Sequence, residues 1–268
     1  MKRPLDQLAE IAQKAVGIGS YLIKTTRPQN VIEKTDRDTY TDVDTRIERE
    51  VRAYLIATTP EIGFTGEEEG RFDRAVDSEY AWVLDPIDGT SNFVHGVPLC
   101  GVSLALMWNN KAIVGAIAMP YLELIYSAID GHGAYVNGQV ITASKTAELS
   151  KAIVAIGDFA LGEGAKKKNR QRIAVTAALA EEVERIRMFG SAAHDLAWLA
   201  EGRIDGVVIL SNKIHDVAAG VLIAREAGAI VLDKSGGANN AQSTEVIAAA
   251  PNISNQLLTL VQSSLIRE

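Results

Sequence analysis

Apolar residues recur every three or four positions from Leu5 through Leu8, Ile11, Ala12, Ala15, Ile18 and Leu22 to Ile23, and this stripe predicts an amphipathic helix ending before Pro28. Val43, Ile47, Val51 and Leu55 repeat the period and predict a second helix over 42–57, capped by Thr41 or Asp42. The pattern then changes. Residues 62–65 and the run Ala81-Trp82-Val83-Leu84 read as short strands. Residues 101–108 and 112–119 read as two strands joined at Asn109-Asn110, and 122–128 continues their sheet. Asn137-Gly138, between Tyr135-Val136 and Val140-Ile141, predicts a two-residue hairpin, because both central residues of that turn need positive φ. Beyond residue 146 the elements alternate. Strands are predicted over 152–156, 186–189, 206–210, 230–232 and 245–249, and helices over 170–184, 192–200, 215–227 and 252–265. The expected organisation is an N-terminal α+β lobe (1–146) followed by a C-terminal α/β lobe (147–268), with the boundary near 143–150 and no long linker, repeat or low-complexity segment.

Composition narrows the function classes. The 268 residues are 47% hydrophobic and 23% charged, which suits a globular chain with a large core and excludes a disordered or fibrous one. Lys plus Arg is 27 against 34 Asp plus Glu, a net charge of −7, which argues against a dedicated nucleic-acid binder. The single cysteine, Cys100, can form neither an internal disulfide nor a Cys-rich zinc site and fits a reducing compartment. Asn109-Asn110-Lys111 breaks the most apolar region, and Asp6 and Glu10 interrupt any N-terminal apolar signal. A soluble cytoplasmic protein without a membrane span is expected.

The stretch from Trp82 to Asn92 carries the most chemical information. Asp85 and Asp88 stand three residues apart after an apolar strand, and Pro86 predicts that the strand stops there and turns, bringing both carboxylates to one point. Gly89-Thr90-Ser91 reads as a helix start whose N–H groups suit a phosphate. A plain surface turn with an Asx motif is the competing reading of Asp-Pro-Ile-Asp-Gly. Gly66-Glu67-Glu68-Glu69-Gly70 follows a strand candidate but is equally a solvated loop. Asp216 opens an apolar, small-residue helix, where it could simply be an N-cap. Lys166-Lys167-Lys168 with Arg170 and Arg172 forms a basic patch without interleaved aromatics, read as a solvated loop and helix start.

Gly66-Glu67-Glu68, the run Trp82 to Asn92 followed by Phe93, and His215-Asp216-Val217-Ala218-Ala219-Gly220 resemble three signatures of the inositol monophosphatase family, in the family's order, with the likeness extending over 34–228. The resemblance, to bacterial members, implies the layered αβαβα sugar-phosphatase fold shared with fructose-1,6-bisphosphatase. It also implies a Mg2+-dependent, lithium-sensitive phosphomonoesterase, usually a homodimer. Carried over by motif, Glu67, Asp85 and the Ile87 carbonyl hold one Mg2+; Asp85, Asp88 and Asp216 hold a second, and a third leans on Glu67. Hard oxygen donors suit Mg2+. The likeness puts Thr90 and Glu67 beside the attacking water, with Asp44 hydrogen-bonded to the threonine. Gly89 and Thr90 cradle the phosphate, Asp88 and Asp216 border it, and Gly190, Ser191 and Ala192 meet substrate hydroxyls. One departure stands out. Inositol-type members often carry Glu seven residues before the last metal Asp, where this chain has Ile209, and Lys213 nearby could attract a second phosphate. Inositol 1-phosphate is the first expected substrate. A 3'(2'),5'-bisphosphate nucleotidase, a fructose-1,6-bisphosphatase or a histidinol-phosphatase stays open, as does an RNA-binding or regulatory protein on the same scaffold.

Overall fold

The computed structural model describes residues 3–35, 37–72 and 79–266. The first half runs α1 (Leu5–Thr25), β1 (Val31–Thr35), β2 (Asp38–Thr41), α2 (Asp42–Thr58), β3 (Gly63–Gly66), β4 (Arg71–Phe72), β5 (Tyr80–Asp88), α3 (Thr90–His95), β6 (Gly101–Trp108), β7 (Lys111–Met119), β8 (Leu124–Ile129), β9 (Ala134–Val136) and β10 (Gln139–Ile141). The second runs β11 (Ile153–Ile156), α4 (Ala165–Glu182), β12 (Arg185–Arg187), α5 (Ala192–Ala200), β13 (Gly206–Ile209), α6 (Ile214–Glu226), β14 (Ile230–Leu232), β15 (Val246–Ala249) and α7 (Ser254–Ile266).

The strands make an eight-stranded sheet, β10-β9-β8-β7-β6-β5-β3-β4, a five-stranded sheet, β12-β11-β13-β15-β14, and the separate ribbon β1-β2. In the larger sheet only β3 and β5 pair parallel. Side-chain alternation sorts these strands between two cores. Trp82, Leu84, Leu104 and Leu106 join the core of α1 and α2, whereas Val83, Ala105 and Met107 join that of α5 and α6. Cover on both faces explains why 101–107 is buried without a break and almost wholly apolar, Ser103 excepted, rather than alternating. The smaller sheet shares the α5/α6 core on one side and packs Val154, Val208 and Ile247 against α4 and α7 on the other. The stack is α1/α2, sheet, α5/α6, sheet, α4/α7: the layered αβαβα arrangement. The small residues of α6 have a packing cause, since a Cβ on Gly220 would lie 2.7 Å from Leu196 and one on Gly115 of β7 would lie 3.0 Å from the Ala219 carbonyl. Among the described residues no helix is long and apolar enough to cross a membrane.

Three local features depart from the sequence reading. The helix expected from 170 starts at Ala165, so the Lys166–Lys168 run forms its first turn rather than a loop; Gly164, at φ 75°, opens it. The ribbon β1-β2 carries no apolar alternation and was not foreseen. Its Val31 and Ile32 are exposed. And β5 does not stop at Pro86 but continues to Asp88.

Candidate active site

Asp85 pairs with Ser103 but Asp88 pairs with Gly101, so β5 carries one extra residue against β6. That is a β-bulge, and it tolerates Pro86 because the residue left over needs no ladder N–H. The bulge, not a turn, puts both carboxylates on one cavity of about 460 Å3. Glu67, just past β3, shares this cavity with Ile87, Gly89 and Thr90 at the end of β5. Gly190, Ser191 and Ala192 at the start of α5, and Lys213 and Asp216 at the start of α6, complete the wall. Every catalytic, metal or substrate residue carried over by motif lines it except Asp44, which is hydrogen-bonded to Thr90.

The cavity is electrostatically divided. Asp85 is only 4% exposed, and among the described residues its Oδ1 has no hydrogen-bond partner. Burial, then Glu67, Asp88, Asp216 and Asp44, push its carboxyl well above the usual range. Burial also raises Asp88, to about 7, against the pull of its bonds from Ala193 N, Ser191 Oγ and Ala192 N. Glu67 is the opposite case. Burial opposes its ionisation, but His215 and Lys34 outweigh that and hold its carboxyl below the usual range. Lys34 Nζ lies 3.1 Å from Glu67 and 2.7 Å from Glu68, and His215 Nε2 lies 3.5 Å from Glu67 and 3.1 Å from Asp216. Burial disfavours the charged imidazole, yet Asp216 and Glu67 raise His215 to about 9. Asp216 is not an N-cap: it sits in the first turn of α6, and its Oδ2 accepts from Lys213 N at 2.8 Å, which leaves Oδ1 toward His215.

Among the described residues no three His, Cys, Asp or Glu side chains form a ready-made metal cage. The donor set nonetheless fits divalent cations. It is all hard oxygen, and it contains a buried carboxylate, with one oxygen unpartnered among the described residues, acted on by four other acids, an arrangement that needs positive charge.

Thr90 Oγ1 lies 3.2 Å from Asp44 Oδ1 and 2.9 Å from the Ile87 carbonyl. Asp44 is held in turn, because its Oδ2 accepts from both the backbone N–H (2.8 Å) and the hydroxyl of Thr41, the α2 N-cap. Burial raises the Asp44 carboxyl to about 6 despite these bonds.

A family model described as "Inositol monophosphatase family" matches residues 4–265. The chain belongs to the inositol monophosphatase family. A probable inositol 1-monophosphatase, ImpA, of Mycobacterium tuberculosis is 35% identical over 237 residues, covering 88% of this chain and 87% of the relative. A Nus factor SuhB of Vibrio cholerae is 34% identical over 237 residues, 87% of each chain. The Thermotoga maritima IMPase structure superposes with a TM-score of 0.86 at 30% identity, covering 98% of both chains. The chain is thus an inositol monophosphatase family phosphomonoester hydrolase.

In this family member the start of α5 docks on Asp88 through a hydrogen-bond relay. Ser191 Oγ is 2.8 Å from both Asp88 Oδ2 and His194 Nδ1. The serine gives its one proton to Asp88 Oδ2, so His194 is the neutral Nδ1–H tautomer donating to the serine oxygen. Burial lowers His194 to about 4 from its ordinary 6.5. The unfolded chain therefore binds a proton below pH 6.5 that the folded chain refuses until about pH 4, and stability falls as pH drops through that window. From pH 7 to pH 5 the parent should lose about 2 kcal/mol more unfolding free energy than His194→Asn, measured by urea denaturation at both pH values. Equal losses would refute the assignment.

From sequence, Lys34 reads as a surface lysine and His215 only as the neighbour of Asp216, and Asp195 and Glu48 are passed over. Asp195 lines the far wall of the cavity and is almost wholly buried; burial first, then Asp88 and Asp158, raise its carboxyl well above the usual range. Its offset of four residues from Ser191, on the helix start that meets the cavity, was the available signal.

Proposed function

We propose that the chain hydrolyses a small phosphomonoester in a Mg2+-dependent reaction, with inositol 1-phosphate as its leading substrate. The observation that carries this reading is the buried, unpartnered Asp85 carboxylate among Glu67, Asp88 and Asp216, next to the Thr90–Asp44 pair. Glu67, Asp85, the Ile87 carbonyl, Asp88 and Asp216 would hold two or three Mg2+ ions. Such ions supply charge neutralisation and Lewis acidity for phosphoryl transfer to water. The chain's own residues do the rest. Thr90 orients the nucleophile while Asp44 and Glu67 draw on its proton, and Gly89 and Thr90 cradle the phosphoryl oxygens. Gly190, Ser191 and Ala192 meet the alcohol portion. The Ile209 side chain lines the cavity and offers no acceptor, but Asn212 also lines it, and its Oδ1 has no partner among the described residues. Lys213 is well placed for a second anionic group.

Phosphate release should vanish on chelation and return with Mg2+, and inositol 1-phosphate should lead a panel with fructose 1,6-bisphosphate, histidinol phosphate and 3'-phosphoadenosine 5'-phosphate. A kcat/KM about tenfold higher on one of the others would move the substrate assignment there, because a pocket's polar contacts decide such ratios. The proposal extends to a cytoplasmic, lithium-sensitive homodimer whose residues 1–146 carry Glu67, Asp85 and Asp88 and whose residues 147–268 supply Asp216. The end of the larger sheet at Ile141 and the start of the smaller at Ile153 support that division. A second reading rests on relatives named Nus factor SuhB and on the exposed Lys166, Lys167 and Lys168: an RNA-binding or regulatory role. Salt-sensitive RNA retention without Mg2+-dependent hydrolysis would favour it.

A further inference from the structure

We propose that Glu48 is a positioning residue that holds the 67–69 segment so that Glu67 faces the cavity; this rests on the Mg2+-dependent reading above. Asp44 and Glu48 lie one turn apart on the inner side of α2 and are both essentially unexposed. Asp44 reaches Thr90. Glu48 reaches the acidic segment instead: Oε2 accepts from Glu68 N and Oε1 from Glu69 N, each at 2.9 Å. A buried carboxylate persists only where its oxygens are hydrogen-bonded, and here two successive amides answer both. The chain is cut to fit this contact. A Cβ on Gly66 would lie 2.1 to 2.4 Å from the Glu48 carboxyl atoms, so glycine is required there for space. The same helix grips the outside of the segment, since Arg49 and Arg52 each hold Glu69 at 2.7 Å. Lys34 holds Glu67 and Glu68 from the other side. Two amides bound to one rigid helix fix the backbone direction on which the Glu67 side chain is mounted. Without Glu48 the orientation of Glu67 would rest on the Gly66 N to Gly70 carbonyl bond and on the side-chain cations Lys34, Lys213 and His215.

Two measurements test this. In the unaltered protein, amide hydrogen exchange at Glu68 and Glu69 should be slow although both lie between strands, and in Glu48→Gln, whose side chain keeps one acceptor oxygen and puts an NH2 in place of the other, at least one of the two should exchange rapidly. Calorimetric titration with MgCl2 should show the Mg2+ Kd of Glu48→Gln raised about tenfold or more, the size expected when a residue orienting a ligand is lost. Gly66→Ala, which keeps every charge but displaces the Glu48 carboxylate, should raise it similarly. The double variant should be no worse than the poorer single one, because both changes break one contact. A Glu48 with only a structural role would lower Tm and leave the Mg2+ Kd within about twofold of the parent. That result in either folded variant overturns the proposal, as does rapid exchange of both amides in the unaltered protein, which decides the matter even if neither variant folds. A parent that takes up no Mg2+ would instead defeat the Mg2+-dependent reading, leaving exchange to judge the hold of Glu48 on the segment.

Discussion

Asp85→Asn should lower phosphate release by about a thousandfold or more, equivalent to roughly 4 kcal/mol of transition-state stabilisation, while making the metal-free protein more stable. The two effects share one cause. Asp85 is buried, and after burial itself the groups acting on it are four other acids: Glu67, Asp88, Asp216 and Asp44. Asn has the same shape and no charge, so the repulsion disappears without opening a cavity. The charge removed is also the one that divalent ions at this site would need. Thermal unfolding in a chelator should therefore show a higher Tm for the variant. Adding Mg2+ should raise the parent's stability, by about 2.7 kcal/mol at a hundredfold excess over Kd, and the variant's hardly at all. General damage cannot produce this combination, because a damaged fold would be less stable in chelator. A variant with a lowered Tm and an intact Mg2+ response would show that Asp85 is structural.

The elements that bury a regular stripe were legible from their spacing. The α1 pattern from Leu5 to Ile23 became a helix with Leu8, Ala12, Ala15 and Leu22 buried, and Asn137 and Gly138 adopt the positive φ values, 48° and 79°, that their turn requires. The ribbon β1-β2 was not legible, because its apolar Val31 and Ile32 are exposed and its inward residues are polar, which leaves no apolar period to read. At β5 the reading of Pro86 as a strand end failed for a definite reason. Proline ends a strand only where its missing N–H is needed, and in the bulge between Asp85 and Asp88 it is not.

The candidate site shows the same division. Its acids could be named because they stand in motifs, and the structure brings Glu67, Asp85, Asp88 and Asp216 to one cavity. Of the groups that govern their ionisation, Lys34 stands in no motif, and His215 stands in one that does not reveal its reach to Glu67. Lys34 meets Glu67 across 33 positions, and His215 comes from the other half of the chain. Glu48 sits in Arg46-Ile47-Glu48-Arg49-Glu50, a run that reads as a charged helix surface, and only the fold shows that its third residue points inward. Helical periodicity says which side of α2 is apolar. It does not say that two carboxylates bordering that side are drawn in by Thr90 and by two backbone amides.

Thr90→Val should cut kcat by about a hundred- to ten-thousandfold, the range for loss of a positioned proton-handling group, while leaving Mg2+ uptake intact. Valine keeps the branched shape and deletes only the hydroxyl. That hydroxyl has two acceptors within reach, Asp44 Oδ1 at 3.2 Å and the Ile87 carbonyl at 2.9 Å, but a single proton. Asp44 Oδ2 is already engaged by the N–H and hydroxyl of Thr41, so Oδ1 is the oxygen turned to Thr90, and the carboxylate cannot swing away without uncapping α2. The arrangement leaves the Thr90 oxygen electron-rich and directed into the cavity, where it can accept a hydrogen bond from water. Removing it strands one buried carboxylate oxygen, at about 1–3 kcal/mol, so Tm should fall by only several degrees. Thr90→Ser, which restores the oxygen, should recover activity to within about tenfold of the parent. Asp44→Asn should resemble Thr90→Val in kcat, and the double variant should be scarcely worse than either, because the two residues act as one unit. Calorimetry with MgCl2 on Thr90→Val places the defect: an unchanged Kd assigns it to the chemical step. A Thr90→Val enzyme with the parent's kcat would remove the threonine–aspartate pair from the mechanism and leave the carboxylate cluster alone to account for turnover.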